Sequence, residues 1–328
     1  MSVSIIIPVR DSRQYLNKCI SSIISQTYTD LEILPVFSRD YPQDAVDRCG
    51  AADPRIRCIR AFGTSEKDLM RTVEWTASEA EGEYVCFVDS DDRIVPGFVE
   101  YMTGMMKDTG CSMGSSGYRV FHWGEDEEFL YTEDDFETEV ISSDEFLKRE
   151  FLRRDRSYRL YAGKIFEKQI LVGSTMEYGR IFSDDTELYK RVVKAGTIAV
   201  THLPLYFFLV RSEGIKRNMQ DDTDYRTAFE GALARRERLR GHEDKVIVHR
   251  VRELCLLELL TCYKKLEEKK LLDKDLKKEL MSKYSKGLEV LKKARGSGER
   301  DTVNYSNLKL FPGSFKLCED DYLKDRPE

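Results

Sequence analysis

The stretch Gly82-Glu83-Tyr84-Val85-Cys86-Phe87-Val88-Asp89-Ser90-Asp91-Asp92 sets a β-forming run directly against three carboxylates. Tyr84 to Val88 has the length and bounds of a buried strand, so the acids fall at its C-terminal end. In open α/β sheets ligands bind beyond that end of the strands. Alternation along an extended strand predicts that Asp89 and Asp91 point the same way. They would then converge on one hard divalent cation, Mg2+ or Mn2+, which takes oxygen ligands. Such an ion is most useful when it bridges a diphosphate whose departure needs charge neutralisation. The same residues also fit an acidic turn capping a following helix, and spacing alone does not choose between the two.

A second group is Tyr178-Gly179-Arg180-Ile181-Phe182-Ser183-Asp184-Asp185. A carboxylate presented at a helix start can act as a general base. Asp184 with Glu187 also forms a capping-box pattern, which needs no catalytic role. Lys164, Arg211, Lys216 and Arg217 lie beside short β-like runs and could pair with phosphates, or could be solvated surface. The chain has no P-loop, no Gly-rich dinucleotide fingerprint and no nucleophile elbow.

The elements that must position these groups alternate. Val3 to Val9 predicts a buried first strand, and the helical spacing of Tyr15, Leu16, Cys19, Ile20, Ile23 and Ile24 a helix capped by Asp11 or Ser12. Leu31 to Phe37 and Ile56 to Ala61 are further strands, residues 64–80 a helix, and the Tyr84 strand follows. That rhythm implies a parallel α/β sheet. Tyr118 to Trp123 and Glu128 to Thr132 suggest a hairpin around an acidic turn. An Arg-rich helix after Glu145 then leads into a β-like Tyr158 to Phe166. Ser183 to Ala195 is a helix stopped by Gly196, and Thr197 to Val200 and Tyr206 to Val210 resume strand character. From about Asp224 the pattern is helical and highly charged, through Val246–Leu266 and Leu271–Lys293.

Composition narrows the classes. The net charge of −6 argues against a nucleic-acid partner. Residues 261–300 hold 13 Lys and Arg against 7 Asp and Glu, a local basic excess that leaves open contact with an anionic membrane. The eight cysteines form no CxxC pair, so reduced packing residues are expected and not a disulfide framework or a zinc site. Met1 to Ile5 lacks the charged lead of a signal peptide, and the longest apolar stretch, Leu203 to Val210, is far short of a membrane span. A cytoplasmic protein, peripheral at most on the inner face of a membrane, is expected.

Taken in order, these pieces resemble the glycosyltransferase family 2 enzymes, nucleotide-diphospho-sugar transferases of GT-A type fold, over about residues 2–215. Val3-Ser4-Ile5-Ile6-Ile7-Pro8-Val9-Arg10-Asp11, Tyr15-Leu16 and Ser25-Gln26-Thr27-Tyr28 are similar to that family's opening strand and helix. Ala80 to Asp92 resembles its A-x-G-E-Y…D-x-D-D signature, and Phe182 to Leu188 its E-D-x-x-F segment. Leu203-Pro204-Leu205-Tyr206 with Arg211-Ser212 resembles its P-L-Y…R-x-S ending.

The resemblance implies a Rossmann-like, mostly parallel sheet flanked by helices over residues 1–215, with a helical C-terminal region over 216–328. It implies an inverting transfer from a nucleotide-diphospho-sugar, UDP-sugar favoured, to a hydroxyl of a glycan or lipid-linked glycan in surface polysaccharide biosynthesis. Asp185 matches the base that deprotonates the acceptor. Asp91 matches a Mn2+ or Mg2+ ligand, and Asp89 a ribose or metal contact beside Ser90. Pro8, Arg10 and Asp11 would border the base, Lys164 the sugar, and Arg211 the diphosphate or acceptor. Arg71 and Asp184 fall among the donor contacts.

Two departures stand out. The family's D-D-G-S after the second strand is here Phe37-Ser38-Arg39-Asp40, which moves that contact to Asp40 if it exists. The A-R-N-x-G helix is poorly matched by Arg71-Thr72-Val73-Glu74. A nucleotidyltransferase would carry a Gly-rich loop after the first strand, which Pro8 to Asp11 is not. A non-catalytic binding subunit draws its support from the Phe37-Ser38 departure, and the C-terminal helices leave a homo-oligomer open.

Overall fold

The computed structural model describes residues 2–10, 14–122, 137–153, 156–158, 160–172, 183–210, 243, 245–268 and 270–295. The chain divides into two compact units, Met1–Arg217 and Asn218–Glu328.

In the first unit β1 (Val3–Val9) is apolar on both faces and almost wholly buried, as a strand covered by helices on each side must be. α1 (Leu16–Ile24) follows and buries Leu16, Cys19, Ile20 and Ile23 at three- and four-residue steps. Its N-cap position is Tyr15, so the expected cap at Asp11 or Ser12 is replaced; those two residues lie outside the described ones. β2 (Leu31–Phe37) pairs parallel to β1, with Val3 opposite Leu31 and Val9 opposite Phe37.

α2 (Gln43–Gly50) fills a connection in which the sequence suggested no helix, and β3 is only Ile59–Arg60. Ile56 still bridges Ile33, so the longer expected strand is interrupted rather than absent. α3 (Glu66–Glu79) opens on a capping box: the Ser65 hydroxyl accepts from Asp68 N, and the Asp68 carboxylate accepts from Ser65 N. β4 (Tyr84–Phe87) then pairs parallel to β1 on its other side.

Gly82 sits where the chain enters β4. A Cβ there would lie 2.5 Å from the Ser4 backbone nitrogen and 2.6 Å from its hydroxyl oxygen, so only glycine permits the approach. The Gly82 N–H uses it, donating to Ser4 Oγ at 2.9 Å.

The rest of the sheet was less visible in the sequence. β5 (Arg93–Ile94) and α4 (Phe98–Thr109) lead to β6 (Met113–His122). Then come β7 (Thr138–Ser142), α5 (Ser143–Arg153), β8 (Lys164–Glu167), α6 (Lys168–Leu171), α7 (Ser183–Ala195) and β9 (Thr197–Val210). Gly196, at φ +74°, ends α7 as its position predicts. The expected Tyr158 strand starts only at Lys164, because Arg156–Tyr158 forms a 3-10 turn. The two strand fragments after Gly196 are one strand that carries Pro204.

The nine described strands form one sheet in the order β3-β2-β1-β4-β8-β6-β9-β5, with β7 on β9. β6 pairs parallel with β9 and antiparallel with β8, so β6 has no hairpin partner among the described residues; residues 123–136 lie outside them. The core gathers β1, β2, β4, α1 and α4 around Ile5, Phe37, Cys86, Phe98 and Tyr206.

The second unit contains α8 (Lys245–Glu268) and α9 (Lys274–Arg295), which pack on each other. Leu256, Leu259, Leu260, Tyr263 and Leu266 are buried on α8, and Leu276, Leu280 and Tyr284 on α9. A Cβ on Gly287 would meet the Leu256 side chain at 2.5 Å, which marks how closely the helices approach.

Candidate active site

From β1 the chain moves through α1 to β2 and through α2 to β3, then returns by α3 to β4 on the opposite side of β1. The order 3-2-1-4 therefore reverses between β1 and β4, and in open α/β sheets such a switch point makes the ligand crevice at the C-terminal strand ends. Pro8 and Arg10 flank it from β1, half-buried and exposed respectively, and Asp89 to Asp92 flank it from β4. Asp40 is exposed on the turn after β2. Arg60 shapes that turn by donating to the carbonyls of Ser38 and Tyr41 and to Gln43 Oε1. Arg71 is exposed in the second turn of α3.

The four acidic-turn residues are not extended. Asp92 N donates to Asp89 O at 2.9 Å, closing a turn between β4 and β5. Strand alternation therefore does not aim Asp89 and Asp91, and the turn separates the three carboxylates by role. Asp89 is exposed and Asp91 half-buried, whereas Ser90 and Asp92 are buried. Asp92 points inward, where its Oδ2 accepts from Tyr206 Oη at 2.7 Å and its Oδ1 from Leu209 N at 2.8 Å. Burial first, then the charges of Asp91 and Asp89, push the Asp92 carboxyl well above the ordinary range.

The same Tyr206 hydroxyl accepts from Asp89 N at 3.1 Å, and Cys19 Sγ donates to Asp89 O at 3.4 Å. Burial, with Asp92, Asp91 and Asp89 nearby, raises the Cys19 thiol too, so it stays a neutral packing group. Gln26, just beyond α1, ties that helix to the start of α4. Its amide donates to Val95 O and Ser22 O and accepts from Val99 N in the first turn of α4.

Lys164 stands at the start of β8, one residue beyond the Cys86–Ile165 pair and so toward the same edge. It is fully buried. Its ammonium donates to Ser157 O and lies 5.9 Å from the Phe146 ring, so the protein interior engages it. Asp184 and Asp185 fall in the first turn of α7, where the helix dipole favours carboxylates; their side chains lie outside the described residues. Asp11 and Arg211 lie outside them altogether.

Asp92, Tyr206, Gln26 and Arg60 were not singled out for these roles by the sequence. Signals existed for the first three: Asp92 ends D-x-D-D, Tyr206 sits in Leu203-Pro204-Leu205-Tyr206, and Gln26 in Ser25-Gln26-Thr27-Tyr28.

Among the described residues no group of three or more His, Cys, Asp or Glu is arranged to hold a metal. What the turn offers is the exposed Asp89 and the half-buried Asp91 beyond the C-terminal end of β4. That donor set fits an oxygen-seeking divalent cation that draws its remaining ligands from phosphate and water rather than from a protein cage.

The family model for glycosyl transferase family 2 matches residues 4–170. The chain belongs to this family. Among curated relatives, GlyG of Streptococcus pneumoniae, a glycosyltransferase, is 24% identical over 67% of this chain and 74% of its own. The structure of S. aureus TarS with UDP-GlcNAc is similar at TM-score 0.60 and 15% identity, over 89% of this chain and 82% of that one. The mannosyltransferase PcManGT of Pyrobaculum calidifontis, solved with GDP-Man and Mn2+, is similar at TM-score 0.51 and 14% identity, over 87% and 80%. The protein is thus a glycosyltransferase of GT-A fold.

Proposed function

We propose that this family 2 transferase moves a sugar from a UDP-sugar to a hydroxyl of a glycan or lipid-linked glycan, with inversion, in surface polysaccharide assembly. The acidic turn at the β1–β4 switch point carries this reading: Asp89 and Asp91 lie beyond the strand ends, where open α/β sheets bind their ligands. The UDP-GlcNAc complex of TarS and the Mn2+ complex of PcManGT support the donor class and the metal.

Asp89 and Asp91 would hold Mn2+ or Mg2+, which supplies charge neutralisation to the diphosphate. Pro8, Arg10, Asp11, Asp40 and Arg71 border the nucleotide, and Ser90 shapes the turn from within. Asp184 and Arg211 complete the donor contacts. Lys164 supports the sugar side from beneath, as its burial suggests. Asp185 takes the proton of the acceptor hydroxyl as its oxygen bonds to the anomeric carbon. The bond from that carbon to the diphosphate oxygen breaks, and the electron pair leaves with the nucleotide. One displacement inverts the anomeric centre.

Asp185→Asn should keep donor binding and lower turnover about 10²-fold or more. Full turnover in a folded Asp185→Asn protein would remove Asp185 from this role. A thermal-shift panel of nucleotide-sugars with and without Mn2+ identifies the donor, since a ligand that binds only the native state raises its apparent stability.

No helix among the described residues is long and apolar enough to cross a membrane. Lys274, Lys277, Lys278, Lys283 and Lys286 are exposed along α9, Lys277 beside Glu267 and Lys283 beside Glu279, and we assign this basic face to peripheral contact with the anionic inner face of a membrane carrying a lipid-linked acceptor. Sedimentation with anionic and neutral vesicles at low and high salt tests it, and equal behaviour on both would exclude the contact. A homo-oligomer through the C-terminal helices is tested by light scattering of the full chain.

A further inference from the structure

We propose that Tyr206 is a positioning residue for the donor site, its hydroxyl fixing the turn that carries Asp89 and Asp91, and that Asp92 is its anchor and not a ligand. The inference rests on the donor-site reading of Asp89 and Asp91.

The geometry is specific. One hydroxyl makes two bonds of opposite sense: it accepts from Asp89 N at 3.1 Å and donates to Asp92 Oδ2 at 2.7 Å. Asp92 is held a second time by Leu209 N at 2.8 Å. Tyr206 is itself fully buried, and its backbone belongs to β9 where that strand pairs with β5 at Ile94. The turn is therefore tied at both ends to one strand that lies 117 residues away in sequence from Asp89.

A turn bearing like charges needs such ties. Asp89 and Asp91 repel each other and the buried Asp92, and an untied backbone would relax by splaying the three apart. With Asp92 turned inward and bonded, the exposed Asp89 and the half-buried Asp91 are carried on a fixed turn. Preorganised ligands bind a cation without first ordering the backbone that carries them. Cys19 Sγ on Asp89 O adds a tie from α1, so the turn is held from α1 as well as from β9.

Tyr206→Phe removes only the oxygen. The ring stays in the core, while Asp89 N loses its bond to the hydroxyl and Asp92 loses one of its two donors, keeping Leu209 N. The test is calorimetric binding of UDP to the full-length protein, with and without MnCl2, alongside melting temperatures. Leu205→Val is the control for stability alone, since Leu205 is buried on the same strand and its side chain has no hydrogen-bonding group to offer the turn.

Tyr206→Phe should reduce the Mn2+ enhancement of UDP affinity by about tenfold, the scale of losing hydrogen bonds that involve a charged group, with metal-free UDP affinity retained. Leu205→Val should lower the melting temperature and leave the enhancement intact. An unchanged enhancement in Tyr206→Phe, with Asp91→Asn abolishing it, would overturn the positioning role alone. An equal fall in Leu205→Val would overturn it as well, by showing that general loosening suffices. Equal Mn2+-dependent binding by wild type and Asp91→Asn would overturn the donor-site reading and this inference with it.

Discussion

At the C-terminal ends of the parallel strands, Asp89, Asp91 and Asp92 crowd into one turn, where burial and then the charges of Asp91 and Asp89 raise the cost of charging Asp92. At the N-terminal ends of the same strands the carboxylate of Glu32 is surrounded by donors. Ser4 Oγ and Arg57 Nη2 each bond it at 2.6 Å, and Glu81 N at 2.9 Å. One edge gathers like charges, and the other matches a charge to its partners. Repulsion at one edge suits the cation proposed there, and the matched edge, with Gly82 pressed against Ser4, holds β4 against β1.

The largest contrast is expected from Asp91→Asn. It should weaken Mn2+-dependent UDP binding by about 10²-fold or more, since losing a ligand costs at least what losing a ligand's own partner does. Its melting temperature without ligand should not fall, because one of the mutually repelling charges is gone. A drop of several degrees would show that the turn is stabilised by that carboxylate and would erase the contrast between the edges.

Gly82→Ala attacks the other edge. A methyl group 2.5 Å from backbone cannot be accommodated by a side-chain rotation, so β4 must move relative to β1. A cost of about 2–3 kcal/mol is expected, the upper part of the range for overpacking. Denaturant unfolding measures it, and UDP binding per folded molecule should change far less than in Asp91→Asn.

Much of this was legible in the sequence because it is local. Continuous apolar runs such as Val3 to Val9 and Leu31 to Phe37 admit one reading in a parallel sheet, and the acids after Tyr84 to Val88 had to fall at a strand end. Gly196 stopped α7 where its position indicated. The mixed half was harder. β8 and β6 flank each other through antiparallel pairing, and β9 absorbs Pro204 through register shifts near Gly117, none of which has a local signature. The inward turn of Asp92 was illegible for a further reason: a residue's partner decides its direction, and the partner, Tyr206, lies 114 positions on. Asp89 and Asp91 were found by composition, but the alternation argument used to aim them fails, since a turn has no period of two.

The smallest expected effect, and the one with a pH signature, is Glu32→Gln. Burial opposes the charge on Glu32, but the hydrogen bonds from Arg57, Ser4 and Glu81 N, with the Arg57 charge, outweigh it and hold the carboxyl below its usual range. A carboxyl depressed in the folded state contributes stability that is fully present above its unfolded value and fades as pH falls through the folded one. Glutamine keeps one acceptor oxygen and turns an N–H2 group toward donors, so about 1 kcal/mol should be lost near neutral pH. The difference between wild type and variant should shrink as the pH drops through the carboxylate range, because a protonated Glu32 and the substituted glutamine are then alike in charge. Urea unfolding of both proteins at neutral pH and at about pH 4 reads the gap directly. A gap that stays constant over that interval would mean that the edge is held by shape alone, and the matched charge would lose its part in the comparison.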